Sequence, residues 1–219
     1  LEVAAAMPAP EVQAIVLGSI DAPPAGMPPP LADRAVPLEE EGYAVWTDSS
    51  SRPAATICVL GREPRGAVFG AGAILRAARM VPGEFSLDPG FQVSTAPAYP
   101  VRGHELGYRH TSNTYDAWSV EQYEQYIRDL AVFGANGVQL IVQLDSLETD
   151  GPHMAEPVLE RTEKLTRILG DYGMRVCMDA ALGRRGHPRI HPGCARKVPR
   201  VLRALQPAGR DLCARWRSG

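Results

Sequence analysis

Residues 100–141, PVRGHELGYRHTSNTYDAWSVEQYEQYIRDLAVFGANGVQLI, constrain the fold more than any other part of this sequence. They read as a strand, a polar aromatic loop, a capped helix and a second strand in immediate succession. The helix between the two strands predicts that they run parallel, since a crossover of this length is what parallel neighbours need. The segment therefore predicts a parallel βαβ unit, which is the repeating element of a (β/α) barrel.

The start of this helix is signalled clearly. Ser119 is followed three residues later by Gln122, which is the spacing of a capping box, and Trp118 and Tyr123 are spaced as a hydrophobic staple. Gly134 is typical of a residue that follows a helix. We therefore expect a helix that begins after Ser119 and ends just before Gly134.

The alternation of strand and helix continues beyond this unit. Val101–Tyr108 is the first predicted strand, Val138–Leu144 the second, Val158–Tyr172 an amphipathic helix and Met174–Met178 the third strand. A complete (β/α)₈ barrel takes about 250 residues by itself. With 219 residues in all, the sequence predicts an incomplete TIM-type barrel of about three strands.

The pattern before residue 98 is different. Glu11–Gly18 reads as a strand, and Tyr43–Thr47 and Thr56–Leu60 read as an antiparallel hairpin, because a turn-rich connection separates them. Small and aliphatic residues at helical spacing predict a helix over Val68–Met80, with Pro82-Gly83 as its stop. The fold class is therefore α/β, with a small α+β domain before the barrel strands.

Gly66, Gly70 and Gly72 lie in or just before the first predicted helix. Their order is not that of a dinucleotide-binding fingerprint. Close packing of the helix on the sheet explains them without a phosphate, and we prefer that interpretation.

Charge divides the chain unevenly. The stretch from Arg184 to Gly219 holds ten basic residues and one acid, a net charge of +9, which leaves 13 basic and 24 acidic residues, net −11, before it. Because the βα order stops abruptly here, we hypothesise a frameshift near Ala180; a basic tail that binds nucleic acid or membrane is the alternative. We predict three regions: an α+β domain over 1–97, barrel units over 98–181, and an irregular basic tail over 182–219.

Three segments in this order carry a family resemblance: RGAVFGAGAILR at 65–76, PVRGHELGYR at 100–109 and EQYIRDLAVFGANGVQLI at 124–141. Together they resemble the N-terminal half of glycoside hydrolases of the α-glucuronidase and β-hexosaminidase type. FGANGVQLI is closer to the α-glucuronidase pattern, and the YPVRG stretch at 99–103 is similar to the first barrel strand of hexosaminidases. The resemblance covers residues from about 40 to 180.

The resemblance implies a carbohydrate-active hydrolase with its catalytic carboxylates on later barrel strands, beyond the end of this chain. Glu105 and Asp145 are an alternative pair, but their spacing fixes no separation, and we prefer a surface or strand-end salt bridge as their explanation. We therefore predict no catalytic residue in this chain, an α-glucuronidase-type glycosidase as the parent, and a fragment that is inactive alone.

Five residues are candidates for binding the sugar. The resemblance implies that Arg102 contacts sugar hydroxyls, whereas the barrel rule places sites near the other end of the strand, around Arg109 and His110. His104 is a lone histidine, and Tyr115 could stack on a sugar face. A structural ion pair remains the alternative for Arg102, and packed or solvated neutral rings are the alternative for the two histidines.

The remaining expectations concern ligands and partners. We expect no metal and no cofactor, a carbohydrate as the partner, no nucleic acid and no membrane, and self-association through the unpaired barrel edge. A non-catalytic carbohydrate-binding or interaction module is the alternative function; an unrelated sugar-phosphate barrel lacks support, because the sequence has no glycine-rich phosphate loop. The chain opens on Leu1, so a removed leader, and with it a secreted or periplasmic location, is compatible with the sequence.

Overall fold

The computed structural model describes residues 5–30, 35–107, 117–143, 158–181 and 212–214. The chain divides into two compact units: unit 1 comprises residues 1–100 with 131–134, and unit 2 comprises residues 101–130 with 135–219. None of the described helices is long and apolar enough to cross a membrane.

Unit 1 is a small α+β structure. Its elements are β1 (Ala14–Ser19), β2 (Tyr43–Asp48), β3 (Thr56–Gly61), α1 (Pro64–Ala77), β4 (Arg79–Val81), β5 (Glu84–Ser86) and β6 (Val93–Thr95). Four of the strands form a mixed sheet in the order β1-β3-β2-β6. β1 runs parallel to β3, and the β2–β3 hairpin is antiparallel, which confirms the predicted hairpin.

This sheet carries an apolar layer on each face, because successive residues of a strand point to opposite sides. On one face Val45 and Val59 pack with Phe69 and Ile74 of α1. On the other face Trp46 and Cys58 pack with other buried apolar residues. The two layers explain why β2 and β3 are apolar nearly throughout.

α1 begins and ends earlier than the predicted span of 68–80. Pro64 occupies the first turn, where a missing N–H costs nothing because no intrahelical partner exists for it. The helix ends at Ala77, and the predicted stop Pro82-Gly83 instead forms the turn between β4 and β5. Gly83 has φ of 81°, which a glycine adopts without strain.

Gly66 and Gly70 allow close packing around α1, because neither position has room for a Cβ. A Cβ added to Gly70 would lie 2.5 Å from Val59 Cγ1 and 3.2 Å from Tyr43 Cδ2. A Cβ on Gly66 would lie 2.4 Å from the carbonyl oxygen of Gly42. The packing interpretation of these two glycines is therefore confirmed.

Replacing Gly70 with alanine should destabilise unit 1. Overpacking costs about 1–3 kcal/mol, and the better helix propensity of alanine returns about 1 kcal/mol, so we expect the free energy of unfolding to fall by up to about 2 kcal/mol. Urea denaturation followed by circular dichroism measures this change. Val68→Ala is the control, because Val68 lies on the exposed side of the same helix; equal stabilities of the two variants would contradict the packing argument.

The described elements of unit 2 are β7 (Gly103–Gly107), α2 (Val120–Val132), β8 (Gly137–Gln143), α3 (Val158–Asp171), β9 (Arg175–Ala181) and β10 (Leu212–Ala214). The strands form a sheet in the order β10-β9-β8-β7, with every pair of neighbours parallel. The predicted parallel βαβ units are therefore confirmed, and the barrel stays a prediction. Within the predicted tail, one segment is described, and it is the short strand β10.

α2 and α3 lie on the same face of this sheet and contact each other. The guanidinium of Arg161 on α3 lies over the ring of Tyr123 on α2, 5.5 Å from its centroid. Arg128 Nε donates a hydrogen bond to the hydroxyl of Tyr172, at 3.1 Å. Consecutive strands with both helices on one face are typical of a (β/α) barrel, whereas a doubly wound sheet has helices on both faces.

Both helices end in the same way. The amide of Ala135 donates to the carbonyl of Leu130, and the amide of Met174 donates to that of Leu169, each spanning the last turn of its helix. Gly134 and Gly173 supply the left-handed residue between, with φ of 89° and 67°. These are Schellman motifs, and each turns the chain directly into the next strand.

Asn136 has no exposed surface and lies immediately before β8, where it hydrogen-bonds the chain at both neighbouring strands. Its Oδ1 accepts from the amide of Arg102 at 2.9 Å, and its own amide donates to the Arg102 carbonyl at 2.9 Å. Its carbonyl accepts from the amide of Arg175, also at 2.9 Å. One residue thus links the backbones just before β7 and at the start of β9.

We expect Asn136→Ala to lower the free energy of unfolding by about 1–3 kcal/mol, because the Arg102 amide would lose its side-chain acceptor. The deletion also leaves a cavity at a fully buried position. Thermal denaturation measures the change against Gln125→Ala, which removes an exposed hydrogen bond to Asp129 on α2. A melting temperature as high as that of the control would show that the amide contact contributes little.

Candidate functional site

The first turn of α2 is built as the sequence predicts. The Ser119 amide donates to Gln122 Oε1 at 2.9 Å, and the Gln122 amide donates to Ser119 Oγ at 3.3 Å. The rings of Trp118 and Tyr123 meet edge to face, with centroids 5.4 Å apart. The capping box and the staple are confirmed, and together they fix where the loop after β7 enters its helix.

The Ser119 hydroxyl also hydrogen-bonds the carboxylate of Glu121, and this bond is the main reason why the pKa of Glu121 lies below its usual value. A carboxyl whose pKa is lower in the folded protein stabilises the fold above its ordinary pKa, and that stabilisation is lost as the pH falls. The negative charge lies in the first turn of α2, where it also interacts favourably with the helix dipole.

His104 lies on β7 and its ring faces α2. Its Nε2 is 3.1 Å from the hydroxyl of Tyr126, and the two rings meet edge to face at 5.5 Å. Tyr126 in turn contacts Trp118, at 5.4 Å between centroids. His104 is the second residue of its strand, so it belongs to a packed aromatic cluster between the sheet and the helix and lies near the amino end of β7.

Arg102 immediately precedes β7, at the amino ends of the strands. Its backbone is bound on both sides by Asn136, as described above. Its side chain is half-buried. In α/β proteins with parallel strands, ligands bind at the carboxyl ends, so Arg102 and His104 share the end of the sheet opposite to that position.

Arg109, His110 and Tyr115, the other three candidate residues, lie outside the described residues, as does Asp145. They follow the carboxyl ends of β7 and β8 in the sequence. The structure therefore brings Arg102 and His104 to the same end of one strand, and the assignment of the remaining three stays a prediction.

The sheet face away from the helices carries a row of polar residues. Glu105 is in register with Gln139, and Gln139 with Cys177, so the three lie side by side on neighbouring strands. All three are half-buried. Among the residues of this face whose side chains the structure describes, Glu105 is the one carboxylate, so a catalytic pair of carboxylates is not formed within that set.

Asp179 is a residue that the sequence analysis did not single out. It lies on β9, two residues after Cys177, in register with Ile141 of β8 and, through Ile141, with Gly107 at the end of β7.

The described residues do not form a metal site: they contain no group of three His, Cys, Asp or Glu side chains that could hold an ion. Cys58 is fully buried in the second apolar layer of unit 1. Burial, with a smaller effect from the charge of Asp48, raises the pKa of its thiol to about 12. Cys58 therefore remains protonated and unreactive in the folded protein, as expected of a thiol that acts as a small apolar residue.

Comparison with known proteins gives similarity at the level of fold. No protein-family model and no curated protein sequence matches the chain. A solved β-N-acetylhexosaminidase of family GH20 from Streptomyces coelicolor A3(2) is similar to it with a TM-score of 0.52 and 16% identity. The match covers 72% of this chain and 38% of that enzyme, so the chain spans well under half of its length.

A second solved structure, a GH20 exo-β-N-acetylglucosaminidase from Vibrio harveyi in complex with N-acetylglucosamine, has a TM-score of 0.49 and 15% identity. The match covers 80% of this chain and 29% of the Vibrio chain. The fold likeness to the Streptomyces enzyme agrees with the hexosaminidase part of the resemblance, while these structures give no support for the α-glucuronidase part.

The capping box should contribute measurably to the stability of unit 2. Ser119→Ala removes the acceptor for the Gln122 amide and should cost about 1 kcal/mol. Gln122→Ala removes the reciprocal acceptor, and the double variant should cost less than the sum of the two single changes, since the two bonds orient each other. Urea denaturation of all three variants measures this coupling, and strict additivity would show that the two bonds act independently.

Proposed function

We propose that this chain forms part of a glycoside hydrolase of the β-N-acetylhexosaminidase kind. The observation that carries the proposal is the arrangement of unit 2, with consecutive parallel strands and both helices on one face. An α+β unit precedes these strands along the chain, and the Streptomyces enzyme is similar in fold over 72% of this chain. The reaction of the whole protein would be hydrolysis of an O-glycosyl bond in a polysaccharide or a glycan side chain.

The sugar would bind at the carboxyl ends of β7, β8 and β9. Arg109, His110 and Tyr115 directly follow β7 in the sequence, so they are the residues of this chain that we assign to the sugar. Arg102 and His104 lie at the amino ends of the strands, and the ring of His104 is engaged by Tyr126 of α2. Of the five candidates, we therefore favour the three that follow the strand.

The chemistry needs either two carboxyl groups on either side of the glycosidic bond or one carboxylic acid assisted by the acetamido group of the substrate. Glu105 is in the middle of β7, in register with Gln139, and is not at the carboxyl end of its strand. Our proposal therefore assigns the catalytic acid to a part of the enzyme other than the strands described here, and expects no hydrolysis by this chain alone.

Binding of N-acetylglucosamine to the 219-residue chain, measured by saturation-transfer NMR, tests the proposed site. Tyr115→Ala should weaken binding about fivefold, because loss of one stacked ring removes roughly 1 kcal/mol. Tyr99→Ala is the matched control, since Tyr99 is 72% exposed and lies in unit 1. The control should bind as the unchanged protein does.

Three results would count against parts of the proposal. Equal binding by the Tyr115 and Tyr99 variants would remove Tyr115 from the site. Release of nitrophenol from 4-nitrophenyl N-acetylglucosaminide by this chain would show that it holds its own catalytic groups. Sugar binding that persists while the whole gene product never cleaves any glycoside of a broad panel would favour the alternative, a non-catalytic carbohydrate-binding module.

A further inference from the structure

β1 forms one edge of the sheet in unit 1, and its hydrogen bonds alternate. The amide of Ala14 donates to the carbonyl of Ala55 at 3.4 Å, and that of Ile20 donates to Gly61 at 2.9 Å. In a parallel pair, every second residue of a strand bonds the same neighbour. The even-numbered residues of β1 therefore bond β3, and the N–H and C=O groups of Ile15 and Leu17 point to the outer edge.

The outer edge of β1 is open between these two residues. Within the described part of the chain, β1 pairs with β3 and makes one isolated bridge, between Ser19 and Ala22. The bridge occupies the carbonyl of Ser19, which accepts from the Ala22 amide at 3.1 Å, and leaves the edge at Ile15 and Leu17 uncovered. Their side chains are 36% and 51% exposed.

The sequence does not protect this edge. Proteins usually block an open edge with a charged side chain, a proline, a bulge or a very short strand. Residues 12–20, VQAIVLGSI, contain no charge and no proline, and β1 keeps a continuous six-residue register with β3. An exposed, uncharged edge with two aliphatic side chains fits an additional extended strand.

We propose that β1 pairs antiparallel with β1 of a second copy of this chain, about a twofold axis through Val16. In that register Ile15 of each copy lies opposite Leu17 of the other copy, which gives two equivalent pairs. Both residues present N–H and C=O groups outward, so each pair exchanges two hydrogen bonds. The two four-stranded sheets then become one continuous sheet of eight strands.

A second copy is the occupant because the edge is complementary to itself. Residues 12–20 carry no charge, so two such strands do not repel each other when they pair. The twofold axis also places the outward N–H and C=O groups of one copy opposite those of the other. Glu11 and Asp21 lie just outside that run, and in this register they approach each other across the dimer. Their mutual repulsion and the small area of one strand pair predict a weak dimer that salt strengthens.

Sedimentation velocity of the full chain over a range of concentrations tests this dimer. We expect a sedimentation coefficient that rises with concentration and rises further when salt is added. Leu17→Pro should abolish the rise, because it removes an outward N–H and leaves the bonds to β3 in place. Circular dichroism shows whether that variant is folded.

Leu17→Lys provides an independent variant if the proline change prevents folding, since a charge on the exposed face of an edge strand opposes self-pairing. Val68→Lys is its matched control, because it adds the same charge to the exposed side of α1. We expect the Leu17 variant to remain monomeric and the Val68 variant to associate as the unchanged protein does.

Two results would overturn the proposal. A single monomeric species at every concentration and salt level would show that the edge stays unpaired. Association that is unchanged in a folded Leu17→Pro or Leu17→Lys protein would place the contact on another surface, such as an edge of the sheet in unit 2. Neither result bears on sugar binding, so the dimer and the proposed function stand or fall separately.

Discussion

The register of the parallel sheet in unit 2 is supported just before β8 by one buried residue, Asn136, which hydrogen-bonds the backbone on either side. Parallel strands share no hairpin that could set their register, so the register must come from the crossovers and from contacts at the strand ends. Asn136 supplies such a contact to the strand on either side, through its side chain toward Arg102 and its carbonyl toward Arg175. Gly134 and Gly173, the left-handed residues of the two Schellman motifs, turn the chain from α2 and α3 directly into β8 and β9. The end of each helix therefore determines where the following strand begins.

Much of the fold could be predicted from local patterns. The capping box at Ser119 and Gln122, the staple of Trp118 on Tyr123 and the antiparallel β2–β3 hairpin all arise from residues close together in sequence. Such features depend on short-range geometry, which spacing alone specifies. The bounds of α1 were harder to predict from the sequence. Helical spacing of small and aliphatic residues continues past Ala77, and the proline at the first position of the helix, Pro64, was not recognised as its start.

The candidate site was less predictable, because long-range contacts decide which residues are available to a ligand. In the sequence His104 is a lone histidine without a recognisable partner. In the structure it contacts Tyr126, which lies on α2, 22 residues further along the chain. Asn136 lies within the FGANGVQLI segment, and no local signal there reveals its contact with Arg102, 34 residues before it. The described part of unit 2 agrees with the Streptomyces enzyme in fold, and ligands of proteins with parallel strands bind at the carboxyl ends, away from Arg102 and His104.

We propose that a sugar binds at the carboxyl ends of β7, β8 and β9. Titration of the ¹⁵N-labelled chain with N-acetylglucosamine, followed by NMR, tests this proposal. We expect dose-dependent shifts of the amide signals of Gly107, Gln143 and Ala181, which end these strands, with Gly103, Gly137 and Arg175 at the opposite ends unchanged. Shifts confined to the starting residues, or no shift at any sugar concentration, would contradict it.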